Sequence, residues 1–111
     1  MLLTRELRTH LRRNADMSAQ REQDHRPVVK FFTLDAQATW LFTELAPDND
    51  TLFGLCDVGH GTPELGYASL AEIQVLRGPL RLLVERDRHF RADKPLSAYA
   101  DEARRHGRIV A

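Results

Sequence analysis

Cysteine is almost missing from this chain of 111 residues, where Cys56 stands alone. That excludes an intrachain disulfide and any Cys-rich zinc site, and leaves the fold to rest on a hydrophobic core in a reducing compartment. No run approaches the roughly 18 consecutive apolar residues of a membrane span. The opening MLLTRELRTHLRR also lacks the apolar stretch of an export signal, so a cytoplasmic protein with no membrane partner is expected. Lysine is scarce too, with Lys30 and Lys94 the two exceptions among 16 Lys and Arg residues. Genomic base composition accounts for that bias more readily than carboxylate or phosphate recognition does. An excess of one charge sign is missing as well: 16 basic side chains balance 16 acidic ones, which argues against a polyanion-wrapping protein or an acidic nucleic-acid mimic. The balance hides a pattern. Residues 1–26 carry 6 basic and 4 acidic groups, residues 27–76 carry 1 and 7, and residues 77–111 carry 9 and 5, so an acidic middle lies between basic ends.

What is present is 42% apolar sequence, enough for one compact domain. Leu3, Leu7 and Leu11 recur at helical spacing behind the capping residue Thr4, predicting an amphipathic helix over residues 1–13. The following stretch, 14–26, has no apolar period and reads as a flexible connection. PVVKFFT (27–33) and ATWLFTELA (38–46) read as a β-hairpin, and TLFGLCDV (51–58) as a third strand of an antiparallel meander. Along 38–46, alternation places Trp40, Phe42 and Glu44 on one face and Leu41 and Leu45 on the other. ELGYASL leads into a helix over about 70–77, whose start shows the capping-box spacing of Ser69 and Glu72 and whose stop is Gly78–Pro79. LRLLVER (80–86) reads as a strand, and a last helix runs from Pro95 to His106, with Gly107 ending it. The expected class is α+β, an antiparallel sheet of about four strands with two or three short helices packed on it. Its candidate core is Phe31, Trp40, Phe53, Leu55, Leu70, Ile73, Leu82 and Val84.

The runs VVKFFT, TW followed by Glu44, FGLCD, PELGY, SLAEI, RGPL and VERDRHF resemble the bacterial domain-of-unknown-function family numbered 2958. The likeness covers residues 1 to about 91, with a family-like core at 27–92. It implies a small single-domain protein carried on plasmids, integrative elements or phage-like regions, near anti-restriction and conjugation genes. It supplies a genetic setting and no reaction. Where family members have an aromatic or Pro-containing turn after the first strand, this chain has Leu34, Asp35 and Ala36, so no role is expected of that tip. The Arg-rich segment 93–111 lies outside the likeness, and its helix is expected to be particular to this chain.

Chemistry-bearing residues each have a plain structural reading beside a functional one. Glu44, Asp57, Glu64, Glu85 and Asp87 stand at strand ends near Arg77 and Arg86. Two carboxylates sharing a pocket would separate their pKa values and supply an acid and a base, whereas pairing with guanidinium groups would merely hold loops. Asp57, His60 and Glu64 offer oxygen and nitrogen ligands to a divalent metal, yet no H-x-H, H-x-x-x-H or Cys/His pairing supports them. Cys56 sits inside an apolar strand and reads as core volume. No G-x-S-x-G, P-loop or dinucleotide fingerprint occurs. Arg5, Arg8 and Arg12 with Arg104 and Arg105 would form a phosphate-binding patch if the terminal helices packed side by side.

With no motif for a reaction, the expectation is a non-enzymatic binding module, with no catalytic residues, no metal and no cofactor. It would grip a host or element-encoded protein, anti-defence being one such role, through Asp57, His60, Glu64 and Tyr67 together with Glu85, Arg86 and Asp87. The alternatives are a nucleic-acid-binding accessory protein working through the Arg-rich ends, and a small metal-dependent hydrolase or nuclease built on Asp57 and Glu64.

Overall fold

The computed structural model describes residues 2–111; Met1, the first residue of the expected helix 1–13, lies outside them. The elements in order are α1 (Arg5–Gln20), β1 (Val29–Phe32), β2 (Thr39–Leu45), β3 (Thr51–Asp57), β4 (Glu64–Ser69), α2 (Leu70–Val75), β5 (Glu85–Arg86) and α3 (Leu96–His106). The architecture is α+β. The antiparallel sheet has five strands, one more than expected, in the order β4-β3-β2-β1-β5. The added strand is ELGYAS, which pairs with β3 before Ser69 caps α2 by accepting the Glu72 N–H at 3.2 Å.

Alternation along the strands divides the apolar side chains between two faces. Phe31, Trp40, Phe42 and Leu52 join Leu11 of α1 and Leu70 and Ile73 of α2. Leu41 and Leu55 join Leu96, Tyr99, Ala100 and Ala103 of α3 on the other side. The sheet is therefore a middle layer, with the terminal helices on opposite faces. Leu45 departs from the expected alternation, because a register shift between Phe42 and Glu44 turns it onto the Trp40 face. Opposite this irregularity Gly54 comes so close to β2 that a Cβ would overlap Leu41 O and lie 2.7 Å from Phe42 Cα.

Helix α1 runs seven residues beyond the predicted end because its inward stripe continues in polar form. Leu7 and Leu11 are followed at helical spacing by Asn14, which is buried and donates to Thr43 O at 3.0 Å, and by Ser18, which donates to Glu44 Oε2 at 3.0 Å. The rest of the expected flexible connection is held as well. Asp24 accepts the Ser97 N–H at 3.1 Å and the Ser97 hydroxyl, and His25 O accepts the Leu96 N–H. Asp24 thus caps α3, whose own N-cap, Pro95, has no side chain to do so. In the core, Phe53 is only half-buried and Leu82 is exposed, against expectation.

Candidate functional site

The two halves of the expected binding surface lie apart. Asp57 to Tyr67 occupy the end of β3 and the edge strand β4, whereas Glu85 and Arg86 form β5 at the opposite edge. Four inter-strand spacings, about 19 Å, separate those edges. Asp57 is buried and structural: Oδ1 accepts the Gly59 N–H and Oδ2 the Ile109 N–H, both at 2.9 Å, tying the C-terminal segment to β3. Glu64 pairs with Cys56, the neighbour of Asp57, so the two carboxylates leave opposite faces of the sheet. His60 is exposed in the turn between them. Among the described residues no three His, Cys, Asp or Glu side chains gather as a metal ion would need, and Asp57 and Glu64, expected to share a site in the hydrolase alternative, stand on opposite faces instead. Tyr67 is exposed and lies against Phe53 with ring centroids 5.1 Å apart. Asp87 accepts the His89 N–H and stands 3.7 Å from the Lys30 ammonium.

The proposed basic patch is also divided. Arg5, Arg8 and Arg12 belong to α1, and Arg104 and Arg105 to α3 across the sheet, because the apolar stripes of the two helices bury against opposite faces. Arg8 donates to the carbonyl of Asn49 in the turn after β2 and Arg12 to that of Leu45 at the end of β2, Arg12 also pairs with Asp16, and Arg104 pairs with Asp101.

Ser18, His25 and Glu44 form a hydrogen-bonded cluster of catalytic residue types that the sequence did not suggest. His25 Nε2 lies 3.1 Å from both Ser18 Oγ and Asn14 O, and the serine hydroxyl donates to Glu44. A nucleophile would need its proton taken by the imidazole, with the carboxylate behind the imidazole. Here the serine stands between the two and spends its proton on Glu44, so the cluster fastens α1 to β2. Cys56 is half-buried against the core, and burial pushes its thiol pKa up, away from thiolate chemistry.

The most organised feature that nothing in the core requires is the segment after α2. The strand expected over 80–86 is confined to β5 at Glu85–Arg86, and residues Arg77 to Leu83 make a small hairpin, paired at Arg77 and Leu83 and closed by Gly78 N–H to Leu82 O at 3.2 Å and Arg81 N–H to Gly78 O at 2.9 Å. Arg81 takes φ 67°, the left-handed position that such three-residue turns give to glycine. The hairpin is fixed from below by the very tip for which no role was expected. Asp35 Oδ2 accepts the N–H groups of Leu80 at 2.7 Å and Leu82 at 3.3 Å. Gly78 lies so close that any Cβ would overlap the Asp35 carboxylate, whose Oδ1 is buried there without a hydrogen-bond partner.

A segment fastened this firmly nevertheless turns its apolar side chains outward. Leu80 is 74% exposed and Val75 73%, with Leu34, Leu76, Leu82 and Leu83 also open. Beside them Leu83, Val84, Glu85, Arg86, Arg88, Gln74 and Leu2 line a cleft of about 420 Å³. Among its lining residues Arg86 and Arg88 face one acid, Glu85, and Arg77 and Arg81 lie in the neighbouring hairpin. A lone aspartate in a loop gives no sequence signal for such anchoring, although the crowding of Leu and Val around RGP is itself unusual for a turn.

A family model described as "Protein of unknown function (DUF2958)" matches residues 2–110. The match runs on through α3 and the Arg-rich end, well past residue 91, so that segment belongs to the shared pattern and is not an addition of this chain. No curated protein and no solved structure matches.

Proposed function

The chain belongs to the DUF2958 family, whose description carries no activity, and we propose from the geometry that the protein is a non-enzymatic module that docks another protein on the 77–83 hairpin and its cleft. The observation that carries this reading is a rigidly braced hairpin offering leucines to solvent. Six exposed large apolar residues crowd into Leu34 and the stretch Val75 to Leu83. Such concentrations on a folded surface mark interaction sites. Burying leucines costs little ordering entropy when the backbone is already fixed by Asp35. The surrounding arginines favour a partner segment with apolar anchors and acidic flanks. The mobile-element setting implied by the family resemblance points to a host or element-encoded protein as that partner, an anti-defence target being one case.

The reading is tested by capture from the natural host with the full chain and with L80D/L82D, both positions being exposed. Wild type should retain a partner that L80D/L82D loses, with circular dichroism and Tm kept close to wild type. A partner kept by L80D/L82D and lost by Y67A would move the working surface to β4.

A further inference from the structure

The edge strand β4 offers a second surface, independent of the hairpin, with its backbone groups set in a fixed alternation by the register to β3. Leu70 N–H donates to Asp50 O, and Ala46 N–H to Thr51 O, each at 2.8 Å. Antiparallel pairs alternate between bonded and non-bonded. In this register Glu64, Gly66 and Ala68 spend their backbone groups on Cys56, Gly54 and Leu52, while Leu65 and Tyr67 aim theirs out of the sheet. The side chains of the same two residues share the α3 face, beyond the helix, where Tyr67 is 75% exposed. Nothing lies within 4 Å of where a Cβ on Gly66 would be. Edges of this kind are normally guarded by lysine, an internal proline or a bulge, and β4 has none of these between Glu64 and Ser69.

We infer that this edge is completed by β4 of a second copy of the chain, antiparallel and centred on Gly66. The strand is its own complement in that register. Leu65 falls opposite Tyr67 of the second copy, twice, in bonded pairs that exchange the outward N–H and C=O groups. Gly66 meets Gly66 in the non-bonded pair on the two-fold axis, where Cα atoms approach to about 4.5 Å and facing side chains would lie in direct contact. Glu64 faces Ala68, so no like charges oppose. The two glutamates lie four residues apart along the ladder, about 13 Å, beyond the screening length at physiological salt. Pro63, which has no N–H, bounds the ladder on one side and the start of α2 on the other. Centring on Leu65 would waste Tyr67 on Pro63, and centring on Tyr67 would carry Leu65 to the helix cap at Ser69. The product is a closed two-fold dimer with a continuous ten-stranded sheet.

Sedimentation equilibrium of the full chain, with two charge variants of exposed positions, tests the pairing and its register. The wild type should dimerise with concentration. L65K/Y67K puts lysine opposite lysine twice and should raise the dimer dissociation constant about tenfold or more. L65K/Y67E puts lysine opposite glutamate and should restore dimerisation, while circular dichroism shows both variants folded. G66C should cross-link across the axis under mild oxidation of the native protein. A wild type that stays monomeric at high micromolar concentration, binding of a basic extended peptide in place of dimerisation, equal behaviour of the two charge variants, or a native G66C that does not cross-link overturns the inference.

Discussion

The two edges of the sheet are finished in opposite ways. At β4 the strand is regular, its outward N–H and C=O groups are unspent, and the apolar residues Leu65 and Tyr67 are few. At the other edge β5 is only two residues long, and the hairpin before it turns its backbone donors inward to Asp35 while spreading leucines to solvent. One edge offers backbone and the other offers side chains. The difference lies in length and in where a single carboxylate sits: β5 is too short to present a ladder, and Asp35 satisfies the hairpin N–H groups of Leu80 and Leu82 beside it. Recognition at β4 is accordingly directional and register-bound, whereas recognition at the hairpin depends on buried apolar area and charge.

The largest expected effect comes from the strand pair on which both edges depend. Gly54→Ala drives a methyl group into the backbone of β2 at Leu41 and Phe42, where neither strand can yield. A loss of about 3 kcal/mol or more is expected in urea unfolding, with both edges disturbed together. Asp35→Ala acts on one edge only. It releases two amides, lets the hairpin loosen and should cost about 1–2 kcal/mol. Hydrogen exchange should quicken at Leu80 and Leu82 while the amides of β4 stay as they were. Equal acceleration at both edges would show that Asp35 supports the whole sheet and that the two edges are not independent. Gly78→Ala should copy the exchange pattern, since its methyl group displaces the same carboxylate.

A gain is expected from Arg81→Gly. The left-handed φ of 67° costs an L-residue roughly 1–2 kcal/mol, and glycine returns part of that as unfolded-state entropy. A net rise of some tenths up to about 1 kcal/mol should appear as a higher Tm. Because Arg77 bonds to the Arg81 carbonyl and not to its side chain, the hairpin keeps its closure. The same substitution removes one positive charge beside the leucines, so weaker capture of an acidic partner despite greater stability would separate the docking role of Arg81 from its structural one.

How much of this was legible beforehand follows the kind of interaction involved. β1 to β3 declared themselves because their apolar and aromatic residues alternate over strands with two covered faces, and α2 did so through Ser69 and Glu72. β4 was hidden, since an edge strand with exposed side chains keeps little hydrophobic pattern and is held mainly by its ladder. The length of α1 was missed because Asn14 and Ser18 carry its inward stripe by hydrogen bonding, which a search for apolar periodicity cannot see. Asp24 and Asp35 act across 73 and 45 residues of sequence respectively. Only the folded chain brings such donors to them. The division of the expected site between two edges has the same origin, because strand order is set by the α2 crossover and not by proximity in sequence.

Alkaline pH gives the smallest effect and serves as the control for the comparison of edges. Burial raises the Cys56 thiol above its usual 9.0 and the Tyr99 phenol above 10.0, and both groups belong to the two cores and to neither edge. Each is almost wholly neutral in both states below about pH 8, a unit under the ordinary thiol value, so their contribution to stability is then complete. As pH rises further, the unfolded chain releases these protons first, and the contribution is lost as pH passes the raised folded values. Lys94 acts in the same direction: its hydrogen bond to Glu102 raises the ammonium pKa above 10.5, and the charge that makes that bond disappears in the same range. The urea midpoint should be flat up to about pH 8 and fall beyond it, with the slope reduced in Tyr99→Phe. Because Cys56 and Tyr99 lie in the cores on the two faces of the sheet, the near-ultraviolet signal of the buried Trp40 and the far-ultraviolet signal of the whole fold should be lost in one cooperative step. Cross-linking of G66C lost at lower pH than the Trp40 signal would mean that the β4 edge opens by itself, and that the ladder to β3 is weaker than its regular register implies.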